Sequence, residues 1–189
     1  MSEQREFLGR LVDLLGKAGM PYMLAGSLGS SFHGRPRATN DVDMVIAPTE
    51  SQFRRFLEDM GLDYYVSNEA AWAAFHQKSV FNIIDIRTQW KADLRVRHAR
   101  PFSVQEFNRR QKAVVLGVDV WVASPEDVIL SKLEWAKDSG SQQQTQDVLG
   151  VLQVQCGHLD REYLRRWAEE LGVADKLGEL LEEVERQAQ

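Results

Sequence analysis

The chain has a single cysteine, Cys156, in 189 residues, so it cannot close an internal disulfide. No cysteine–histidine grouping has the spacing of zinc ligands. No window approaches the ~20 apolar residues of a membrane-spanning helix, and MSEQREFLGR lacks the apolar core of a signal peptide. There is no internal repeat. The four histidines are scattered, none beside a nucleophile, so a hydrolase triad finds no support. Basic residues are not in excess: 23 Lys and Arg against 28 Asp and Glu give a net charge of −5, which argues against a surface that coats nucleic acid throughout. With 43% hydrophobic and 27% charged residues the composition is globular, and the length suits one domain or a core with an appendage. These features predict a soluble, reduced, cytoplasmic protein.

The apolar pattern divides the chain. Residues 2–17 carry Phe7, Leu11, Leu14 and Leu15 at helical spacing, and Gly19 and Pro21 end the run. Tyr22-Met23-Leu24-Ala25 is a short apolar strand leading into Gly26-Ser27, with helical turns near residues 28–33. Residues 41–46 alternate as a strand, and Thr49 with Gln52 forms a capping box for a helix through Met60. An extended piece near 64–66, a small helix near 69–75, and strands at 80–87 and 90–97 joined at Thr88-Gln89 follow. Residues 114–116 and 118–122, divided by Gly117, form a further strand pair or a bent strand. From Ser124-Pro125-Glu126-Asp127, a strong helix start, only helical patterns remain, broken at Ser139-Gly140, Gly157 and Gly172. The expected class is α+β: a small mixed sheet with helices over 1–123, then a helical part over 124–189.

Chemistry concentrates where Gly26-Ser27 is followed, thirteen residues later, by Asp41-Val42-Asp43. A glycine directly after a strand permits a tight turn and close approach to a ligand. A helix starting there offers unpaired N–H groups to an anion, and Ser27 adds a hydroxyl. Asp41 and Asp43, at i and i+2, project from one strand face. Such like charges are unfavourable unless solvated or bridged by a cation, and Mg²⁺ favours carboxylates together with phosphates. Two residues compete as a third carboxylate for a two-metal arrangement. Asp93 stands on the polar face of its strand, with Lys91 and Arg95 as alternative ion-pair partners; Asp85 lies in the apolar run FNIIDI, where burial demands compensation. Strand pattern alone leaves the two nearly level.

GS-x13-DVD, preceded by an apolar strand and followed by MVI, resembles the signature of the nucleotidyltransferase superfamily of the polymerase-beta type. RPRATNDVDMVI is similar to its minimal members and to the abortive-infection, AbiEii-like toxin branch, and SPEDVILSKLEWA with TQDVLGVL resembles the helical motif of the same families. The resemblance touches residues 22–152. It implies that Asp41, Asp43 and Asp93 (in Lys91-Ala92-Asp93-Leu94) bind Mg²⁺ or Mn²⁺ and are the catalytic carboxylates. It further implies that Gly26, Ser27, Arg37, Thr39, Lys132 and Asp147 serve the nucleotide. The reaction implied moves an NMP group from an NTP to an acceptor, a small molecule, protein or tRNA, and releases pyrophosphate. The alternative is a non-catalytic nucleotide-binding, regulatory or toxin–antitoxin-associated protein of the same fold.

Residues 87–112 hold eight lysines and arginines against Asp93 and Glu106, either a solvated face or a groove for phosphates. From 158 on, nine acids against five bases speak against DNA binding by the helical part. Leu171, Leu177, Leu180, Leu181 and Val184 form an apolar stripe that either packs on the core or makes a homodimer contact.

Overall fold

A computed structural model of the chain describes residues 3–187. The predicted start of the first helix at Ser2 lies outside the described residues. The chain forms two compact units: residues through Ala25 together with Thr39–Val122, and Gly26–Ala38 together with residues from Ala123 onward. The sequence pattern, divided at 123/124, places 26–38 with the sheet; the compact units group that segment with the C-terminal helices.

The first unit is built on a seven-stranded mixed sheet in the order β3-β4-β5-β2-β1-β7-β6. The strands are β1 (Tyr22–Leu24), β2 (Asp41–Ile46), β3 (Tyr64–Tyr65), β4 (Val80–Asp85), β5 (Lys91–Val96), β6 (Gln111–Val115) and β7 (Val118–Val122). β2 and β5 run parallel over six residue pairs, from Asp41 opposite Lys91 to Ile46 opposite Val96. β4 pairs antiparallel with β5, setting Asn82 opposite Asp93 and Phe81 opposite Leu94. Because side chains alternate, this register collects Val42, Met44, Ile46, Phe81, Ile83, Ala92, Leu94 and Val96 on one face, all buried. The opposite face receives Asp41, Asp43, Asn82, Lys91 and Asp93.

Helices cover the apolar face. α1 (Glu3–Lys17) buries Phe7, Leu8, Leu11, Leu14 and Leu15. α3 (Glu50–Asp59) begins at the predicted capping box, with the Thr49 side chain accepting from Gln52 and the Gln52 side chain accepting from Thr49. Its Phe53 is fully buried and meets the rings of Trp72 and Phe75 on α4 (Asn68–Gln77) and of Phe81 on β4 at 4.9–5.5 Å. Burying such a ring is worth ~1.5–3 kcal/mol, so Phe53 joins two helices and the sheet in one cluster.

Two differences from the sequence pattern are physical. β4 stops at Asp85 rather than 87, because the Asp85 carboxylate accepts the backbone N–H groups of Arg87 and Thr88 and turns the chain. Residues 101–108, outside every element that the sequence pattern predicts, form α5 (Pro101–Asn108), with Pro101 in its first turn and Phe102 and Phe107 buried. Of the two alternatives for 114–122 the structure has the strand pair: β6 starts at Gln111, ahead of the predicted 114, and the hairpin turns at Leu116 and Gly117, both left-handed with φ of 53° and 77°.

The second unit contains α2 (Gly26–His33), α6 (Pro125–Ser139), α7 (Gln142–Val154), α8 (Arg161–Leu171) and α9 (Ala174–Gln187). Ser124 caps α6, and left-handed Gly140 and Gly172 close α6 and α8, as the pattern predicts. Leu177, Leu180 and Val184 of the tail stripe are buried. α2 is tied in by His33, whose Nε2 lies 2.7 Å from the Ala123 carbonyl, and by Gln155, which donates to the His33 carbonyl at 2.8 Å. Directly after α2, Gly34 lies so near α7 that an added Cβ would stand 2.7 Å from Val151 N and 2.8 Å from the Gly150 carbonyl carbon. That contact is backbone on backbone, so neither side can yield by rotating a side chain. Gly34→Ala is therefore expected to cost ~1–3 kcal/mol and to lower Tm by several degrees in a thermal melt. Gly178→Ala, in α9 with nothing within 4 Å, should leave Tm unchanged or raise it slightly.

Candidate active site

Each unit carries one polar cluster drawn from the residues singled out in the sequence. In the sheet unit, Asp41 and Asp43 sit two apart on β2, and Asp93 stands opposite Asp43 on β5. All three share the polar face. Crowded carboxylates repel unless compensated, and here Lys91 compensates: its Nζ is 3.1 Å from Asp93 Oδ2 and 4.0 Å from Asp41 Oδ2. The hydrogen bond to Asp93 raises the Lys91 pKa, outweighing the lowering effect of burial, so the ammonium stays charged. Thr39 Oγ1 donates to Asp41 Oδ1 at 2.7 Å, and Asn82 Nδ2 donates to Asp93 Oδ1. These bonds fix the two outer carboxylates without neutralising them. β1 delivers the chain to the same place: Ala25 N donates to the Asp43 carbonyl at 3.0 Å, immediately before Gly26.

Asp85 is differently placed. It is buried, on the apolar face, and paired with Arg10 of α1. Burial pushes its carboxyl upward, but the Thr88 N–H and the Arg10 guanidinium outweigh that and hold it below the ordinary value. This is the compensation that a carboxylate in FNIIDI requires, and it commits Asp85 to holding α1 and the β4 turn together.

In the helical unit, Gly26 takes a left-handed φ of 54°, which permits the abrupt change from strand to helix. Ser27 follows in the first turn of α2. Its hydroxyl accepts from Arg37 Nη2 at 2.5 Å. Arg37 also grips Asp147 on α7, with Nε at 2.8 Å from Oδ1 and Nη2 at 3.0 Å from Oδ2. Lys132 of α6 donates to Asp147 Oδ2 at 2.8 Å and to Gln144 Oε1 at 2.7 Å. The Lys132 and Asp147 side chains are each only 5% exposed. Burial alone would raise the Asp147 carboxyl; hydrogen bonds from Arg37 and Lys132 prevail and hold its pKa at about 2.

Ser27, Arg37, Lys132 and Asp147 thus meet in one cluster, and Asp41, Asp43, Asp93 and Thr39 in the other. The sequence reading passed over Asn82, Ser30, Gln143 and Gln144. Strand alternation places Asn82 on the polar face, and Gln144 and Gln143 precede Asp147 by three and four residues, one helical turn. Among the described residues, no group of three His, Cys, Asp or Glu is already spaced as a metal cage. The donor chemistry nonetheless suits a hard divalent cation: oxygen-only carboxylates on one face, held beside a positive charge.

Two measurements follow. In urea denaturation, Asp85→Asn should lose ~1–3 kcal/mol, since it leaves a buried polar cluster short of its counter-charge, while Asp93→Asn should stay within ~0.5 kcal/mol of wild type. For Asp147, whose ordinary pKa is 3.8, the depressed folded value means that its ion pairs contribute fully above about pH 4 and are lost as pH falls toward 2. Stability measured by denaturant titration should therefore drop across that window in wild type by ~2 kcal/mol more than in Asp147→Asn.

No protein-family model and no curated protein matches the sequence. Solved structures do resemble it. The antibiotic-resistance factor ANT(2'')-Ia in solution superposes with a TM-score of 0.59 at 12% identity, covering 98% of each chain. The same protein in complex with adenylyl-2''-tobramycin gives 0.52 at 14%, over 100% of each. An antigenic nucleotidyltransferase-like protein from Paracoccidioides brasiliensis gives 0.58 at 15%, covering 95% of this chain and 92% of that one. The lincosamide antibiotic adenylyltransferase LnuA, bound to lincomycin, gives 0.50 at 15%, covering 80% and 96%. None of these is an abortive-infection protein. The likeness is one of architecture: a mixed sheet with flanking helices and a helical C-terminal part, the nucleotidyltransferase fold that the GS-x13-DVD signature implies.

Proposed function

We propose that the protein is a metal-dependent nucleotidyltransferase that moves an NMP group from an NTP to an acceptor and releases pyrophosphate. The observation that carries this reading is the register of β2 with β5, which sets Asp43 opposite Asp93 with Asp41 on the same face. Asp41, Asp43 and Asp93 are the residues that would hold Mg²⁺ or Mn²⁺. When bound, such ions supply charge stabilisation to the attacking and leaving oxygens.

The chain's own residues account for the remaining tasks. Gly26 lets the backbone approach the phosphates closely, and Ser27 adds a hydroxyl in the first turn of α2. Arg37 and Lys132 bring positive charge to a polyanionic substrate, one as a planar fork and the other as a compact ammonium. Thr39 orients the Asp41 carboxylate through its hydroxyl. Asp93, aimed by Asn82, is the carboxylate that accepts a proton from the acceptor hydroxyl at Oδ1 or Oδ2. Lys91 holds the acidic face together through contacts to Asp41 and Asp93. The neighbours described as an adenylyltransferase bound to lincomycin and as a complex with adenylyl-2''-tobramycin support a small-molecule acceptor.

Isothermal titration with ATP, CTP, GTP and UTP, each with and without MgCl₂, tests the reading. At least one nucleotide should bind in a magnesium-dependent manner, and Asp41→Asn or Asp43→Asn should weaken it by at least tenfold. Unchanged affinity in both variants would sink the metal-dependent mechanism and favour a non-catalytic binding protein.

A further inference from the structure

Within the sheet unit, the polar face changes sign just beyond its carboxylates. Along β5 that face is presented by Lys91, Asp93 and Arg95, and the alternation carries on to Arg97, whose N–H still pairs with the Ile46 carbonyl of β2. Lys91 is committed to Asp93 and Asp41, and Asn82 takes the other oxygen of Asp93. Arg95 stands opposite Val45 on β2 and Val80 on β4, and it is exposed. Its guanidinium has no ion-pair or hydrogen-bond partner among the described residues. Two strand steps, ~7 Å between Cα atoms, separate it from Asp93.

The positive charge continues across the same face. Val122 pairs with Leu24 and Leu24 with Met44, which is on the apolar face, so Trp121 and its partner Lys112 lie on the face of Asp43 and Asp93. Arg97 and Arg110 both lie over the Phe107 ring of α5, at 5.7 and 4.2 Å. Arg110 and Lys112 both lie over the Trp121 ring, at 5.2 and 5.3 Å. None of these three cations is in an ion pair among the described residues. An aromatic ring holds a cation through its quadrupole and leaves the charge in place, whereas a carboxylate would cancel it. The Nε–H groups of Arg97 and Arg110 are moreover buried without an acceptor, although buried donors are nearly always paired. In a chain of net charge −5 this belt is a local reserve of positive potential, and it begins one pleat from Asp93.

We infer that Arg95 is a specificity-determining residue: it binds a phosphate of the acceptor, so that the hydroxyl served by Asp93 is carried on a phosphate-bearing molecule. Arg97, Arg110 and Lys112 attract that molecule to the face. The inference rests on the nucleotidyl-transfer reading and names the acceptor class for it. In the transfer, the acceptor oxygen bonds to the α-phosphorus as the bond to pyrophosphate breaks, and the hydroxyl proton passes to Asp93. The chemistry required is a phosphate close to a hydroxyl, as on a phosphorylated sugar or at the 3' end of a polynucleotide. A polycationic acceptor would meet like charge at Arg95.

Titrations without divalent metal test it, since phosphate must then bind to the cations alone. The probes are ribose 5-phosphate, ribose, a single-stranded RNA oligonucleotide with a free 3' hydroxyl, and spermidine. Binding is followed by the arginine Nε–H resonances in nitrogen-15 NMR, that of Arg95 being assigned by its loss in Arg95→Gln. At least one phosphate-bearing probe should shift the Arg95 resonance, while ribose and spermidine should not. Binding of ribose 5-phosphate assigns a small acceptor; binding of the oligonucleotide alone assigns a polynucleotide. Arg95→Gln should weaken that probe roughly tenfold, as expected for loss of a charge-assisted hydrogen bond. Arg95→Lys should recover part of the loss, and Arg55→Gln, which removes an exposed cation from α3 on the other layer, should change nothing. Failure of both phosphate probes to bind would overturn the inference, as would equal affinity in Arg95→Gln or binding of spermidine in their place. A parallel isothermal titration of the best-binding NTP with MgCl₂ should give affinities within about twofold for wild type and Arg95→Gln; a tenfold loss there would assign Arg95 to the nucleotide instead and overturn the inference. If no NTP binds wild type, the nucleotidyl-transfer reading falls whatever the phosphate probes do. If an NTP binds normally and the probes do not reach Arg95, only the acceptor assignment falls.

Discussion

The parallel register between β2 and β5 is the constraint on which the acidic face depends. Side chains alternate along a strand, so a slip of one residue would send Asp93 into the apolar layer and bring Leu94 out beside Asp43. What forbids the slip is the other face. Val42, Met44, Ile46, Ala92, Leu94 and Val96 are essentially solvent-free and are packed by α1, α3 and α4. The hydrophobic layer thus fixes the geometry of the carboxylates from behind, and its energy offsets the repulsion of gathering them. Lys91 supplies the rest of the compensation in front.

Much of this was legible in the sequence, because its signals were periodic or chemical. Alternation in DVDMVI and KADLRV gave the strands and their faces, Thr49 with Gln52 gave a helix start, and Ser124-Pro125 gave another. Strand pattern did not separate Asp85 from Asp93, since FNIIDI carries one polar and two apolar residues on each side and so marks no polar face. The difference lies in their partners: Arg10, 75 residues away, closes over Asp85, whereas Asp93 is met by its strand neighbours Lys91 and Asn82. α5 escaped for a related reason. Its eight residues hold too few apolar positions to establish a period, and its start carries a proline but no side-chain cap. The glutamine-rich stretch before Asp147 reads as merely polar until α6 and α7 bring Lys132 against it.

The two buried aspartates show how differently one solution can be used. Both are depressed in pKa despite burial, and both owe this to a cation with added hydrogen-bond donors. Around Asp85 one cation meets one carboxylate, and the backbone of a turn completes the shell. Around Asp147 two cations meet one carboxylate, and one of those cations also reaches a hydroxyl at the first turn of a helix. The first ties a helix to a turn; the second ties three helical segments together through one carboxylate.

The split membership of the helical unit bears on how the chain is made. α2 leaves the ribosome before most of the sheet exists, whereas α6 and α7, between which and itself the helical core forms, come only after residue 122. At eight residues it is too short to persist as an isolated helix in water. Its glycine-tight contact with α7 must then form late, across a long stretch of intervening chain, and such non-local closure is slow. Until the final third of the polypeptide has emerged, α2 lacks the helices it packs against, so a nascent or truncated chain holds the acidic strands without the cluster of Arg37, Lys132 and Asp147.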